Sequence, residues 1–148
     1  MPDRSDSPQP DAEKSSQLVA AAVAAAARAY APYSGFRVGA ALLLASGDLV
    51  TGANVENVSY GLTLCAERAA LVRAVAEFGP KIRIRAVAVA NLNQAASPPC
   101  GACRQVLAEF CSPDALIHFP TLENGALVQQ TRRFGELLPF AFDLQIKP

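Results

Sequence analysis

Thr63-Leu64-Cys65-Ala66-Glu67-Arg68 opens a segment that closes on Pro99-Cys100-Gly101-Ala102-Cys103, and the reading of the residues between them decides the architecture. From Thr63 to Phe78 apolar side chains recur at helical spacing (Leu64, Leu71, Val75, Phe78), and Gly79-Pro80 supplies a stop. Ile82 to Ala90 alternates and then becomes wholly apolar, the pattern of a strand buried on both faces. A loop from Asn91 to Pro99 leads into a second helix, Cys100 to about Phe110, ending near Ser112-Pro113.

Outward from this helix-strand-helix unit the pattern is simpler. Upstream, Phe36 to Ala45 and Leu49 to Glu56 flank Ser46-Gly47-Asp48 as the strands of a hairpin. Before them an alanine-dominated run, Gln17 to Ala31, reads as a helix ending ahead of Pro32. Its uncharged part is shorter than the roughly 20 residues a bilayer span needs, and Arg28 interrupts it. Downstream, Ala115 to Phe119 and a weaker run from Ala126 to Thr131 read as two more strands. The order α-β-β-α-β-α-β-β implies an α/β fold, a three-layer α-β-α sandwich around a mixed five-stranded sheet. Residues 1–15 are rich in Pro, Ser and Asp and are expected to form a disordered tail, leaving 16–148 as a single domain.

Composition narrows the partners. Thirteen basic residues balance thirteen acidic ones without a basic run, so no surface is suited to a polyanion and nucleic acid is not an expected partner. Neither a membrane span nor a secretory leader is recognisable, and four cysteines in such a chain point to a reducing, cytoplasmic setting in which clustered thiols hold metal.

Both thiol clusters fall at helix N-termini that lead into strands of one sheet, so they can meet at the same end of it. Cys100 and Cys103 share a helix face, and the partial positive charge of a helix N-terminus favours thiolates. Three thiols with a carboxylate two residues from one of them are the parts of an open zinc site that activates water: Cys65, Cys100 and Cys103 as ligands, Glu67 as acid and base. The plainer alternative is a closed structural zinc with His118, the only histidine, as fourth ligand. That alternative leaves Glu67 without a role, and His118 within an apolar strand reads as a core or edge residue. Cys111, about 12 Å along the helix from Cys103 at 1.5 Å per residue, is expected to be a small buried side chain. Asn54 and Glu56, two apart on a strand, project to one face and suit sugar hydroxyls.

Cys-Ala-Glu-Arg at 65–68, Pro-Cys-Gly-Ala-Cys-Arg-Gln at 99–105 and Asn54-Val55-Glu56-Asn57 together resemble the small homotetrameric cytidine deaminases, over nearly the whole span from Ala31 to Phe142. The resemblance implies one zinc per subunit on Cys65, Cys100 and Cys103, with Glu67 shuttling protons from water to the ring N3 and the departing amine of cytidine or 2′-deoxycytidine. It further implies that Ala66 meets the base through its backbone and that Asn54 and Glu56 hold the 3′-hydroxyl. Phe36 and Tyr60 would line the pocket, and Arg68 would hydrogen-bond ligand sulfurs. Leu137-Leu138-Pro139-Phe140-Ala141-Phe142 is similar to the family's C-terminal element, whose last aromatic reaches a neighbouring subunit's site; Phe142 matches, with Phe140 close by. On that footing the protein is a homotetramer with shared sites, acting on a small nucleoside in pyrimidine salvage. Related deaminases of other aminated bases or of blasticidin S, and polynucleotide editors, share the cysteine motifs and remain as alternatives.

Overall fold

A computed structural model describes residues 10–144. The elements run α1 (Ala12–Ala26), β1 (Val38–Leu44), β2 (Leu49–Ala53), a 3-10 turn (Tyr60–Leu62), α2 (Ala66–Phe78), β3 (Ile84–Asn91), α3 (Gly101–Ala108), β4 (Cys111–Glu123), β5 (Ala126–Arg133) and α4 (Phe134–Leu137). The sheet order is β2-β1-β3-β4-β5, antiparallel at every junction except β3–β4, which is parallel and bridged by α3. The mixed five-stranded sheet of the sequence reading is therefore present.

Three layers follow from which side chains are buried with which. Leu18 and Ala22 of α1 pack on Ala41, Leu43, Ala86 and Ala88 on one face of β1 and β3. On the other face Ala70, Leu71 and Ala74 of α2 and Leu107 of α3 close over Leu42, Leu44, Val87, Val89 and Ile117. β1 is apolar along its length and buried from Gly39 onward, as a strand covered on both sides must be.

Two glycines bring the helices down onto the sheet. A Cβ on Gly39 would stand 2.0 Å from the Ala22 carbonyl oxygen and 2.4 Å from the Ala26 nitrogen of α1. A Cβ on Gly52 would stand 2.3 Å from the Ala70 nitrogen and 2.9 Å from the Ala66 carbonyl oxygen of α2. The obstacles are backbone atoms, so no side-chain rotation relieves them. Gly52 thus fixes the height of the N-terminal turn of α2 above the sheet.

The boundaries differ from expectation, most consequentially in three places. Helix α1 starts at Ala12 and ends at Ala26, where the sequence reading placed Gln17 to Ala31. The Asp11 carboxylate accepts from the Lys14 N–H at 2.8 Å as an N-cap, so residues 12–15, expected in the polar tail, form the first turn. Residues 1–9 of that tail lie outside the described residues. Second, α3 stops at Ala108 and β4 begins at Cys111, so Cys111 is a strand residue rather than the last turn of a helix. Pro113 is tolerated there because the ladder slips: Ile84 faces Cys111 but Ala86 faces Leu116, and the extra residues bulge out of the pairing. Third, β2 ends at Ala53, and the chain from Asn54 to Glu56 continues only through isolated bridges of Val55 to Tyr30 and Leu64.

Candidate functional site

Cys65 is the N-cap of α2 and Cys100 the N-cap of α3, with Cys103 in the first turn of α3. Because α2 and α3 lie on the same face of the sheet, their N-termini meet, and the three Sγ atoms all lie within 4.8 Å of one another. Cys103 is fully buried and Cys100 is exposed, so the cluster is enclosed on one side and open on the other. Cys100 Sγ accepts from the Cys103 N–H at 3.5 Å, and Arg68 Nη2 donates to Cys65 Sγ at 3.2 Å and to the Thr63 carbonyl at 3.4 Å.

The charges follow this geometry. The neighbouring Cys103 and Arg68 hold the Cys65 thiol down to about 5 against the burial that opposes it. The proximity of Cys65, with burial and the Glu67 charge, pushes Cys103 up. Arg68 is raised in turn, first by its bond to Cys65. Three sulfur donors in this spread suit a cation such as zinc, bonded to each at about 2.3 Å, and the open side leaves the fourth position accessible.

Glu67 is 4% exposed at the start of α2. Burial pushes its carboxyl up to about 7, and the Cys65 charge adds to the rise while its own backbone N–H and Arg68 oppose it. A carboxyl with that value takes up and releases protons near neutrality.

The cluster opens into a cavity of about 370 Å³ whose wall includes Phe36, Asn54, Glu56, Ala66, Glu67 and Cys100. That volume lies at the small-molecule end of ligand pockets. Asn54 and Glu56 share the wall even though no strand carries both. Asn54 Oδ1 accepts from the Val38 N–H at 2.9 Å and Nδ2 donates to the Phe36 carbonyl at 2.8 Å, which ties Phe36 and β1 to the pocket floor. Glu56 accepts from the Tyr33 and Ser34 N–H groups at 3.0 and 3.1 Å and from the Ser34 hydroxyl at 2.5 Å, and the hydroxyl bond leads in holding its pKa down. Ser34, Thr63, Val89 and Ser97 also line the wall and were not singled out from the sequence. For Ser97 a signal existed: Ser97-Pro98-Pro99 forces extended backbone just before Cys100.

Three aromatic candidates stand elsewhere. Tyr60 lies in the 3-10 turn, 75% exposed, with its ring edge-on to Tyr33 at 5.9 Å between centroids. Phe142 is 75% exposed and Phe140 95%. None of these three lines the cavity of its own chain. His118 is buried on β4, away from the thiols, with Nδ1 2.8 Å from Thr131 Oγ1. It is the core residue the strand pattern implied. Cys111 sits at the β4 start, and burial pushes its thiol up to about 12.

Residues 12–118, which include all three clustered cysteines and Glu67, match the family model described as the cytidine and deoxycytidylate deaminase zinc-binding region. The chain belongs to the cytidine deaminase family. It is 46% identical over 125 residues to cytidine deaminase of Halalkalibacterium halodurans, covering 84% of this chain and 91% of that protein. It is 49% identical over 127 residues to cytidine deaminase of Mycobacterium tuberculosis, covering 86% and 88%. The crystal structure of cytidine deaminase from Mycobacterium tuberculosis superposes with a TM-score of 0.72 at 46% identity, over 87% of this chain and 97% of that one. That from Burkholderia pseudomallei gives 0.73 at 44% identity, over 86% and 98%. The chain is thus an enzyme of a zinc-binding hydrolase family, with the fold of cytidine deaminases. No helix among the described residues is long and apolar enough to cross a membrane.

Proposed function

We propose that the enzyme hydrolyses free cytidine and 2′-deoxycytidine to uridine and 2′-deoxyuridine with release of ammonia, as a step of pyrimidine salvage in the cytoplasm. The observation that carries this reading is the position of Glu67: buried, two residues from Cys65, and in the wall of the cavity that Cys65 and Cys100 of the three-sulfur cluster also line. Cys65, Cys100 and Cys103 hold one zinc per subunit. Zinc bound there supplies the Lewis acidity that makes water ionise near neutral pH.

The chain's own groups do the rest. Glu67 takes one proton of the attacking water and delivers it to N3 of the ring, then takes the second from the hydroxyl now on C4 and gives it to the amine, which leaves as ammonia as the C4 carbonyl forms. One carboxyl serves both directions because burial raises its pKa above the ordinary carboxylate range, toward neutrality. The Ala66 backbone, in the wall beside Glu67, orients the base. Asn54 and Glu56 receive the ribose 3′-hydroxyl, Glu56 as a carboxylate kept ionised by Ser34. Phe36 supplies an apolar wall. Arg68 offsets the negative charge of three thiolates, without which the site would pull less on water.

Phe142 and Tyr60, exposed on their own chain, are assigned to sites completed by neighbouring subunits in a homotetramer, Phe142 stacking on the pyrimidine. A zero net charge gives no purchase to a polynucleotide, and a nucleoside fills the cavity without a continuing chain.

A substrate panel followed by ultraviolet absorbance tests the reading. Cytidine and 2′-deoxycytidine should turn over, with cytosine, cytidine monophosphate, blasticidin S and single-stranded oligonucleotides at least about a hundredfold slower in kcat/KM, a margin of roughly 3 kcal/mol. Faster turnover of any of those four would replace the nucleoside assignment.

A further inference from the structure

The two residues that follow the ligand Cys103 face away from the cavity and reach the C-terminal segment. Arg104 Nε donates to the Pro99 carbonyl at 2.8 Å and Nη1 to the Leu137 carbonyl at 2.9 Å, both partly buried. Gln105 Nε2 donates to the Phe142 carbonyl at 3.0 Å. Pro99 precedes the N-cap Cys100, and Leu137 is the last residue of α4, so its carbonyl has no partner within the helix. One planar guanidinium therefore joins the loop that presents Cys100 to the helix end from which the terminal segment departs, a geometry that a lysine cannot reproduce.

Past Leu138, among the described residues, the Phe142 carbonyl is the one main-chain group with a hydrogen-bond partner. Phe140, Phe142 and Leu144 are 95%, 75% and 69% exposed, so burial of these side chains within their own chain does not hold the segment in place. Within the chain its recorded anchors come from α3.

We propose that Arg104 and Gln105 are positioning residues that set the place of segment 138–144 through the ligand helix, so that the order of that segment depends on occupancy of the thiol cluster. An ion bonded to Cys100 and Cys103 fixes the first turn of α3 and the Pro99 loop, the two places from which Arg104 is held. Removing it loosens both anchors at once. The inference rests on the proposed zinc ligands, and it bears on catalysis only if Phe142 is the ring that meets the base.

The chain has no tryptophan, so Leu144→Trp places a single fluorophore at the end of the segment. Time-resolved anisotropy of that variant is compared in zinc-loaded and chelator-stripped protein, alone and combined with Arg104→Gln, Arg104→Lys or Gln105→Ala. The expected result is restricted local motion with zinc, at least a doubling of its amplitude on stripping, free motion in Arg104→Gln even with a full zinc complement, and an intermediate amplitude in Arg104→Lys. With cytidine, Arg104→Gln should raise KM about tenfold with kcat within about threefold, the size expected for loss of one charged hydrogen bond. A probe as restricted in zinc-loaded Arg104→Gln as in the parent overturns the proposal. If Arg104→Gln does not fold, Gln105→Ala decides, since its exposed amide serves only Phe142. A Phe142→Ala enzyme with unchanged KM would remove the base-stacking role and leave the anisotropy result standing.

Discussion

Arg68 Nη2 lies 3.2 Å from Cys65 Sγ, one helical turn further along α2, so the helix that carries a ligand also carries the cation that stabilises its thiolate. The guanidinium reaches back to the Thr63 carbonyl as well, which fixes its orientation. Arg68 is one of the groups that hold the Cys65 pKa below the ordinary thiol value.

Replacing Arg68 by Gln should therefore raise the Cys65 pKa and weaken zinc binding. The expected loss is about 10- to 100-fold, as for other groups that orient ligands, and it should widen as pH falls because metal must then compete with a proton. Chelator competition between pH 6 and 8 measures it. Equal affinities for the variant and the parent across that range would show that the contact is incidental.

Gly39 and Gly52 form a matched pair on opposite faces of the sheet, and an alanine at either meets helix backbone. Each substitution should cost stability, about 1–3 kcal/mol. Their functional consequences should differ, because α1 bears no site residue and α2 bears Cys65 and Glu67. Gly52→Ala is expected to lower zinc content and kcat, whereas Gly39→Ala at a comparable fall in Tm keeps both. Thermal melts, metal analysis and kinetics on the two variants check this, and a Gly52→Ala enzyme with normal zinc and kcat would refute it.

His118 gives a pH prediction free of the metal site. Burial holds it below the usual histidine range, and Nε2 has no hydrogen-bond partner among the described residues. Its folded-state pKa is thus depressed relative to the unfolded chain, near 6.5. As pH drops below that value the unfolded chain binds a proton that the folded one refuses, so stability falls until the folded pKa is reached and is flat above about 7. Metal-stripped wild type should lose stability against His118→Gln between pH 6.5 and 5, with a slope difference of up to about 1.4 kcal/mol per pH unit. Parallel stability curves would contradict the assignment.

Much of this was legible in the chain itself. The Cys65-Ala66-Glu67 and Pro99–Cys103 stretches, each at the start of a periodic helix, pointed to the family and to the place where the three thiols meet, because the N-termini of these two helices converge on one sheet face. The apolar run from Ile82 announced β3. What stayed hidden depends on tertiary context. Asp11 begins α1 within a polar run whose exposed first turn carries no periodicity, and only the cap bond reveals it. Pro113 reads as a helix stop, yet it sits in a bulge whose existence depends on the β3 register. Arg104 has two carbonyl partners, 5 and 33 residues away. No local pattern encodes the second of these. Asn54 was read as a sugar ligand, and its side chain also joins β1 to the pocket wall, a role set by long-range pairing.

The account stands on Glu67 as the group that moves protons beside an intact metal site. The most direct measurement is single-turnover and steady-state deamination of cytidine by Glu67→Gln, with zinc quantified in the same sample. The variant keeps the size of the side chain and lies outside the three-sulfur set, so it should retain a full complement of zinc. Loss of roughly 10²- to 10⁴-fold or more in kcat, the scale of general acid–base catalysis, is the predicted result. A zinc-replete Glu67→Gln enzyme within tenfold of wild type would contradict it.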